Sequence, residues 1–322
     1  MQDNFGRTIN YLRLSITDRC NLRCSYCMPE EGVPIKQCGD ILRYEELLRI
    51  VKAAAELGIR KVRVTGGEPL VRKGVLGFLR QVAATPGIEE LALTSNGLLL
   101  VENARALKEA GVDRLNISLD SLTPDTFSRI TRGGSFDRVW QGLEAAEKAG
   151  IKLKLNMVVM RGINDQEILP FATLSLDRSW SVRFIEFMPT LQEVGWREKI
   201  VSGAEILDRL RKHHDLQAIS SGRYCGPAKP FRIAGASGTI GIITPMSEHF
   251  CGSCNRIRVT ANGQAKSCLF QDQMIDLVPF LKGSDEHLVE GLKQVIGQKP
   301  AQHQLGNEKP GATGFSMASI GG

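Results

Sequence analysis

The chain has 322 residues, a formal net charge of +6, 42% hydrophobic and 24% charged residues, enough for one large core and a smaller unit beside it. No apolar run reaches bilayer-spanning length, and the N-terminal Met1-Gln2-Asp3-Asn4 lacks the basic-then-apolar pattern of a signal peptide, so membrane and secreted classes are set aside and a cytoplasmic location is expected. Eight cysteines in such a compartment point to metal or redox chemistry before disulfides; six fall in two groups, Cys20/Cys24/Cys27 and Cys251/Cys254/Cys268, while Cys38 and Cys225 stand alone.

From residue 11 to about 188, short β-branched runs alternate with helical stretches, the pattern of parallel βα units. Strands are predicted over about 11–16, 61–65, 90–94, 113–119, 152–159 and 181–187. One helix-to-strand joint recurs at Gly58-Ile59, Gly111-Val112 and Gly150-Ile151, each with a Gly suited to a left-handed helix end. Thr123-Pro124 reads as an N-cap with Pro at the first helical position. Parallel strands buried on both faces should read as continuous apolar runs, yet several of these alternate. Leu12, Leu14 and Ile16 oppose Arg13, Ser15 and Thr17; Val62 and Val64 oppose Arg63 and Thr65; Leu115, Ile117 and Leu119 oppose Asn116, Ser118 and Asp120; Leu153 and Leu155 oppose Lys154 and Asn156. With a side-chain period of two, helices cover the apolar set and the polar set converges inside. The expected fold is α/β, an open partial (βα)6 barrel of parallel strands with a polar bore.

After Met188 the pattern changes to a helix near 204–213 and a Gly/Pro-rich, turn-dense stretch. A boundary near 220 divides a core over 5–220 from a smaller C-terminal domain over 221–322 that closes the barrel mouth. Residues 310–322 carry neither helical nor strand period and read as a tail.

Barrel chemistry collects at the C-terminal strand ends, which here carry Cys20–Cys27, Gly66-Gly67-Glu68-Pro69, Thr94-Ser95-Asn96-Gly97, Ser118 with Asp120, and Glu186-Phe187-Met188. Three thiols within eight residues are too few for a structural zinc site, which takes four protein ligands. On a four-iron cluster they leave one iron open to a non-protein ligand. Cys251 and Cys254, with Cys268 later, are again three; a zinc ribbon missing its partner is the alternative. Arg256 and Arg258 share a strand face beside them, either as solvated charges or as an anion grip.

Cys20-x3-Cys24-x2-Cys27, with Tyr26 before the last Cys and Gly66-Gly67-Glu68-Pro69 after the next strand, resembles the radical S-adenosylmethionine (SAM) superfamily. The whole chain is similar to that superfamily's GTP-cyclising branch, which opens molybdenum-cofactor biosynthesis. Residues 11–21, 65–70, 116–122 and 183–189 and the Cys251 block carry the likeness. It implies a [4Fe–4S] cluster on Cys20, Cys24 and Cys27 whose free iron binds SAM, with SAM contacts at Tyr26, Gly67, Ser118 and Met188. It implies a second [4Fe–4S] cluster on Cys251, Cys254 and Cys268 facing the guanine base, and GTP contacts at Arg13, Arg63, Thr94, Lys154, Arg256 and Arg258. The terminal Gly321-Gly322 would reach into the active site and assist catalysis. The implied reaction cleaves SAM to methionine and a 5′-deoxyadenosyl radical and converts GTP to (8S)-3′,8-cyclo-7,8-dihydroguanosine 5′-triphosphate. Implied partners are an electron donor, the downstream cyclic pyranopterin monophosphate synthase and a second copy in a homodimer, with no nucleic acid or membrane.

Arg13, Arg63, Thr94 and Lys154 also fall on the polar face expected to line the bore, where unpaired cations are costly and an anionic ligand would balance them. Two other readings stay open at this point. A peptide-modifying radical SAM enzyme would need more C-terminal cysteines and no ring of cations. A zinc-dependent nucleic-acid module would need a Lys/Arg-rich helix or an aromatic platform.

Overall fold

The computed structural model describes residues 1–32, 38–188, 195–220, 222, 224 and 226–303. Its strands are β1 (Tyr11–Ser15), β2 (Lys61–Thr65), β3 (Glu90–Ser95), β4 (Arg114–Ser118), β5 (Lys152–Val159), β6 (Ser181–Glu186), β7 (Leu216–Ala218), β8 (Lys229–Ile233), β9 (Thr239–Ile243), β10 (Arg256–Val259), β11 (Gln264–Lys266) and β12 (Ile275–Asp276). Its helices are α1 (Tyr44–Glu56), α2 (Val75–Ala83), α3 (Leu100–Glu109), α4 (Pro124–Thr131), α5 (Phe136–Lys148), α6 (Ile168–Asp177), α7 (Gly203–Arg211), α8 (Val278–Leu281) and α9 (Asp285–Gly297). All six expected strands are present. So is the recurrent joint: Gly58, Gly111 and Gly150 follow α1, α3 and α5 with φ of 90°, 85° and 73°, a backbone that an L side chain strains to adopt.

The strands form one sheet in the order β12-β11-β10-β1-β2-β3-β4-β5-β6-β9-β8-β7. β1 to β6 pair in parallel in sequence order. The residues after 220 extend that run at both edges, β10 parallel to β1 and β9 parallel to β6, before antiparallel strands take over. β9 and β10 pair with other strands and not with each other, so the barrel stays open.

Alternation decides the two faces. Leu12, Leu14, Val62, Val64, Leu91, Leu93, Leu115, Ile117, Leu153, Leu155, Val182 and Phe184 are all buried in one core. Helices cover them through the 3.6-residue period. In α5, for instance, Val139, Gly142, Leu143 and Ala146 are the buried positions, and the Ser135 hydroxyl accepts from the Arg138 N–H to cap the start. Each fully buried aliphatic side chain contributes about 1.5–3 kcal/mol, so a one-residue slip that turned this set into the bore is strongly disfavoured. The opposite parity is thereby committed to the interior, whatever its polarity. No helix among the described residues is long and apolar enough to cross a membrane.

Candidate active site

The interior holds a cavity of about 270 Å³, lined from one end to the other by the two cysteine groups. Cys20, Cys24 and Cys27 follow the C-terminal end of β1, whereas Cys251 and Cys254 precede the N-terminal end of β10, and β10 runs parallel to β1. Cys268 follows β11, antiparallel to β10, and so returns to that same end. The two thiol groups therefore sit at opposite ends of the bore, separated by at least the length of a five-residue strand, roughly 16 Å. One cluster cannot use both.

The loop bearing the first group is held by backbone. Gly67 N–H donates to Thr17 O at 2.8 Å and Glu68 N–H to Arg19 O at 2.8 Å. A Cβ on Gly67 would lie 2.3 Å from Arg19 O and 2.9 Å from Asp18 O, so only Gly permits this approach. Glu68, fully buried, accepts from Leu70 N–H, Asn96 N–H and the Ser95 hydroxyl, tying β2 to β3; burial pushes its carboxyl up to about 7 although these hydrogen bonds pull the other way. The Tyr26 hydroxyl donates to Asp120 Oδ2 at 2.7 Å, and Asp120 Oδ1 accepts from Val158 N–H. Gly67→Ala is expected to weaken iron retention by the first group by about 10–100-fold, the usual cost of disturbing a ligand's supports, as read by chelator challenge with the second group unaffected.

Both groups fit iron. Cys20 Sγ accepts from Leu22 N–H and lies 3.9 Å from Asn96 Nδ2, the donor arrangement that supports a ligating thiolate. Burial raises the Cys24 thiol well above its ordinary value, with the Asp120, Cys27 and Cys20 charges adding to it; a bound cation reverses that cost. In the second group burial pushes Cys254 up, but the charges of Arg256 and Lys299 outweigh it and leave the thiol at about 6, largely thiolate at neutral pH. The same corner holds His249, Cys251 and His303 with ligand atoms within 4.8 Å of one another and the two rings 3.0 Å apart, Nδ1 to Nε2. A single zinc ion there would compete for Cys251, so metal analysis separates the two occupants.

Between the two ends lies the polar face. In register, Arg258, Arg13 and Arg63 stand side by side on β10, β1 and β2, and all three line the cavity with Thr94, Arg256 and Arg183. Arg13 is held well below its ordinary value by burial first and then by Arg258 and Arg63; burial and Arg63 do the same to Arg183. Among the described residues, the Arg63 Nε, Arg183 Nε and Thr94 Oγ1 are buried with no hydrogen-bond partner. Buried polar atoms are rarely left so, and a polyanion would satisfy them.

The expected SAM contacts Tyr26, Gly67, Ser118 and Met188 all line this cavity, as do Arg13, Arg63, Thr94, Arg256 and Arg258. Lys154 does not. Its neighbour two residues on, Asn156, reaches the lining, so Lys154 shares that face one step nearer the strand's start, beside Arg183, Arg114, Lys61 and Arg63. Gly321 and Gly322 lie outside the described residues, as does Cys225. Sequence parity could have found Arg183, opposed by Val182 and Phe184 on β6, and Lys61 at the foot of β2. No local pattern marks His303, which reaches the lining from beyond α9.

Burial, reinforced by Arg183 and other cations, lowers Lys154 from 10.5 to about 6. Between those values the unfolded chain binds a proton that the folded chain does not, so stability rises with pH across that window. The stability difference between the unaltered chain and Lys154→Met is expected to shift in the unaltered chain's favour from pH 6 to pH 9 in denaturant titrations. A bound polyanion should flatten that slope, and a flat profile in the empty chain contradicts the assignment.

Residues 14–174 match the Radical SAM superfamily model, and residues 180–305 match Molybdenum Cofactor Synthesis C. The chain is 56% identical over 322 residues to GTP 3′,8-cyclase of Geobacter sulfurreducens, covering 99% of each. It is 47% identical over 327 residues to that of Moorella thermoacetica, covering 100% of each. Among solved structures, native anSMEcpe with bound AdoMet superposes with a TM-score of 0.59 at 16% identity, over 88% of this chain and 82% of that one. Streptococcus suis SuiB bound to S-adenosylmethionine gives 0.58 at 15% identity, over 84% and 61%. At these identities the two structures speak to the open, mostly parallel α/β fold alone. The chain belongs to the GTP 3′,8-cyclase family of radical SAM enzymes.

Proposed function

We infer that the chain catalyses cyclisation of GTP between C3′ and C8, the first step of molybdenum-cofactor biosynthesis, with two [4Fe–4S] clusters and SAM as cofactors. The observation that carries this reading is the single cavity with three thiols at each end and a row of buried arginines between. Cys20, Cys24 and Cys27 would hold the first cluster, with SAM against Tyr26, Gly67, Ser118 and Met188. Cys251, Cys254 and Cys268 would hold the second. When bound and reduced, the first cluster with SAM supplies a 5′-deoxyadenosyl radical able to take the hydrogen from the ribose C3′.

The chain's own residues do the rest. Arg13, Arg63, Arg256 and Arg258 grip the triphosphate, with Arg183 beside them and Lys154 a step deeper. Thr94 offers a hydroxyl from β3. Held at both ends, the nucleotide presents C3′ and C8 at fixed separation, and such positioning accounts for much of the rate. The Gly321-Gly322 end is proposed to enter the same cavity, where glycine alone allows close backbone approach. The division at residue 220, a cytoplasmic location, a homodimer, an electron donor and transfer of the (8S) product to cyclic pyranopterin monophosphate synthase complete the reading.

The test is an anaerobic incubation of the iron-reconstituted chain with SAM, dithionite and either GTP or ATP. GTP should yield 5′-deoxyadenosine in step with an isomer of unchanged mass, and ATP should yield no cyclised product. Deoxyadenosine without altered GTP refutes the substrate.

A further inference from the structure

The short segment after α9 bonds to Cys251, to Cys254 and to the residue before Cys268. Lys299 is 3% exposed. Its Nζ donates to Arg256 O at 2.8 Å and to Ser267 O at 2.7 Å, and it hydrogen-bonds the Cys254 thiol. An ammonium has three protons to donate, so one side chain spends all of them on the strand after Cys254, the residue before Cys268, and Cys254 itself. Pro300 O and Ala301 O accept from Arg7 Nη2 and Nη1, and the same Arg7 Nη1 donates to Cys251 O; Arg7 is in turn paired with buried Asp3. The His303 backbone N–H donates to the Cys251 thiol. Among the described residues Lys299 makes no ion pair with a carboxylate, and a buried ammonium without a counter-charge is costly. The negative charge it faces is that of the thiolates and whatever they ligate.

We propose that Lys299 is a positioning residue of the second cluster, locking Cys254, β10 and the Cys268 turn into one unit and balancing the cluster's negative charge so that its reduction potential is raised. The inference rests on the second cluster occupying Cys251, Cys254 and Cys268.

The test uses the full chain with Cys20, Cys24 and Cys27 all replaced by Ala, so that only the second cluster remains. If this parent binds no cluster, the underlying reading fails before Lys299 is examined. Given a loaded parent, Lys299→Met is expected to shed the cluster or to lower the ratio of reduced to oxidised cluster at the parent's midpoint about tenfold, which is about 59 mV for a one-electron couple, in an EPR-monitored titration. Lys299→Arg keeps the cation and should hold that ratio within about twofold of the parent, the difference that separates a charge effect from a packing one. Unchanged cluster content and potential in Lys299→Met overturn the proposal. So does an equal shift in Lys299→Arg, and so does loss of both clusters together when Lys299→Met is made in the otherwise unaltered chain, which would mark a general folding role.

Discussion

Cys254→Ser is expected to leave SAM cleavage running while cyclised GTP falls below roughly a thousandth of its usual rate, a loss of at least ~4 kcal/mol of transition-state stabilisation. Cys20→Ala is expected to abolish both. The asymmetry follows from the sheet. Cys20 follows the C-terminal end of β1, and Cys254 precedes the N-terminal end of the parallel β10, so each group can lose its metal without disturbing the other. Serine cannot supply the thiolate that Arg256 and Lys299 favour at Cys254, and on the proposed function the base end of the nucleotide then loses its anchor and moves away from the radical. Iron and sulfide should each fall by about half in either variant, two four-iron clusters becoming one. Simultaneous loss of SAM cleavage in Cys254→Ser contradicts this separation of roles.

The second large effect has two opposite signs. Arg183→Met is expected to weaken GTP binding by about 30–5000-fold, in line with the ~2–5 kcal/mol cost of removing one partner of a buried charged contact. The same substitution should stabilise the empty chain by about 1–4 kcal/mol, because exchanging a buried, uncompensated charge for an apolar side chain of similar length relieves desolvation and repulsion. Arg183 is buried, its Nε has no hydrogen-bond partner among the described residues, and Arg63 and Arg114 raise its cost further. Denaturant midpoints without ligand, set beside GTP titrations, read both effects. A structural arginine would instead destabilise the empty chain on removal, and that outcome would rule out the binding role.

Much of this is legible in the sequence because parity is a local property. Once helices cover Leu12 and Leu14, Arg13 has nowhere to point but the bore, and the same holds for Arg63 between Val62 and Val64. Arg183 obeys the same rule between Val182 and Phe184, yet the apolar Ile185 on its own face breaks the alternation and weakens the signal. Parity states which face a residue occupies but not how deep it lies, which is why Lys154 falls short of the cavity lining. What the sequence could not reveal depends on pairing between distant segments. β10 joins β1 across more than two hundred residues, so Arg258, Arg13 and Arg63 become a row only in the folded sheet. Lys299 and His303 act through partners 32 to 54 residues away, with no motif of their own. The turn-rich region after 220 hid β8 and β9 because Gly and Pro mask strand character.

The most direct test of the central claim uses GTP deuterated at C3′, with SAM and reductant under anaerobic conditions. Abstraction from C3′ predicts one deuterium in 5′-deoxyadenosine and a cyclised product with the mass of unlabelled GTP, since the departing deuterium is replaced by an electron and a solvent proton. Deoxyadenosine free of deuterium, alongside GTP that keeps its label, would show that the radical never meets a nucleotide held in this bore.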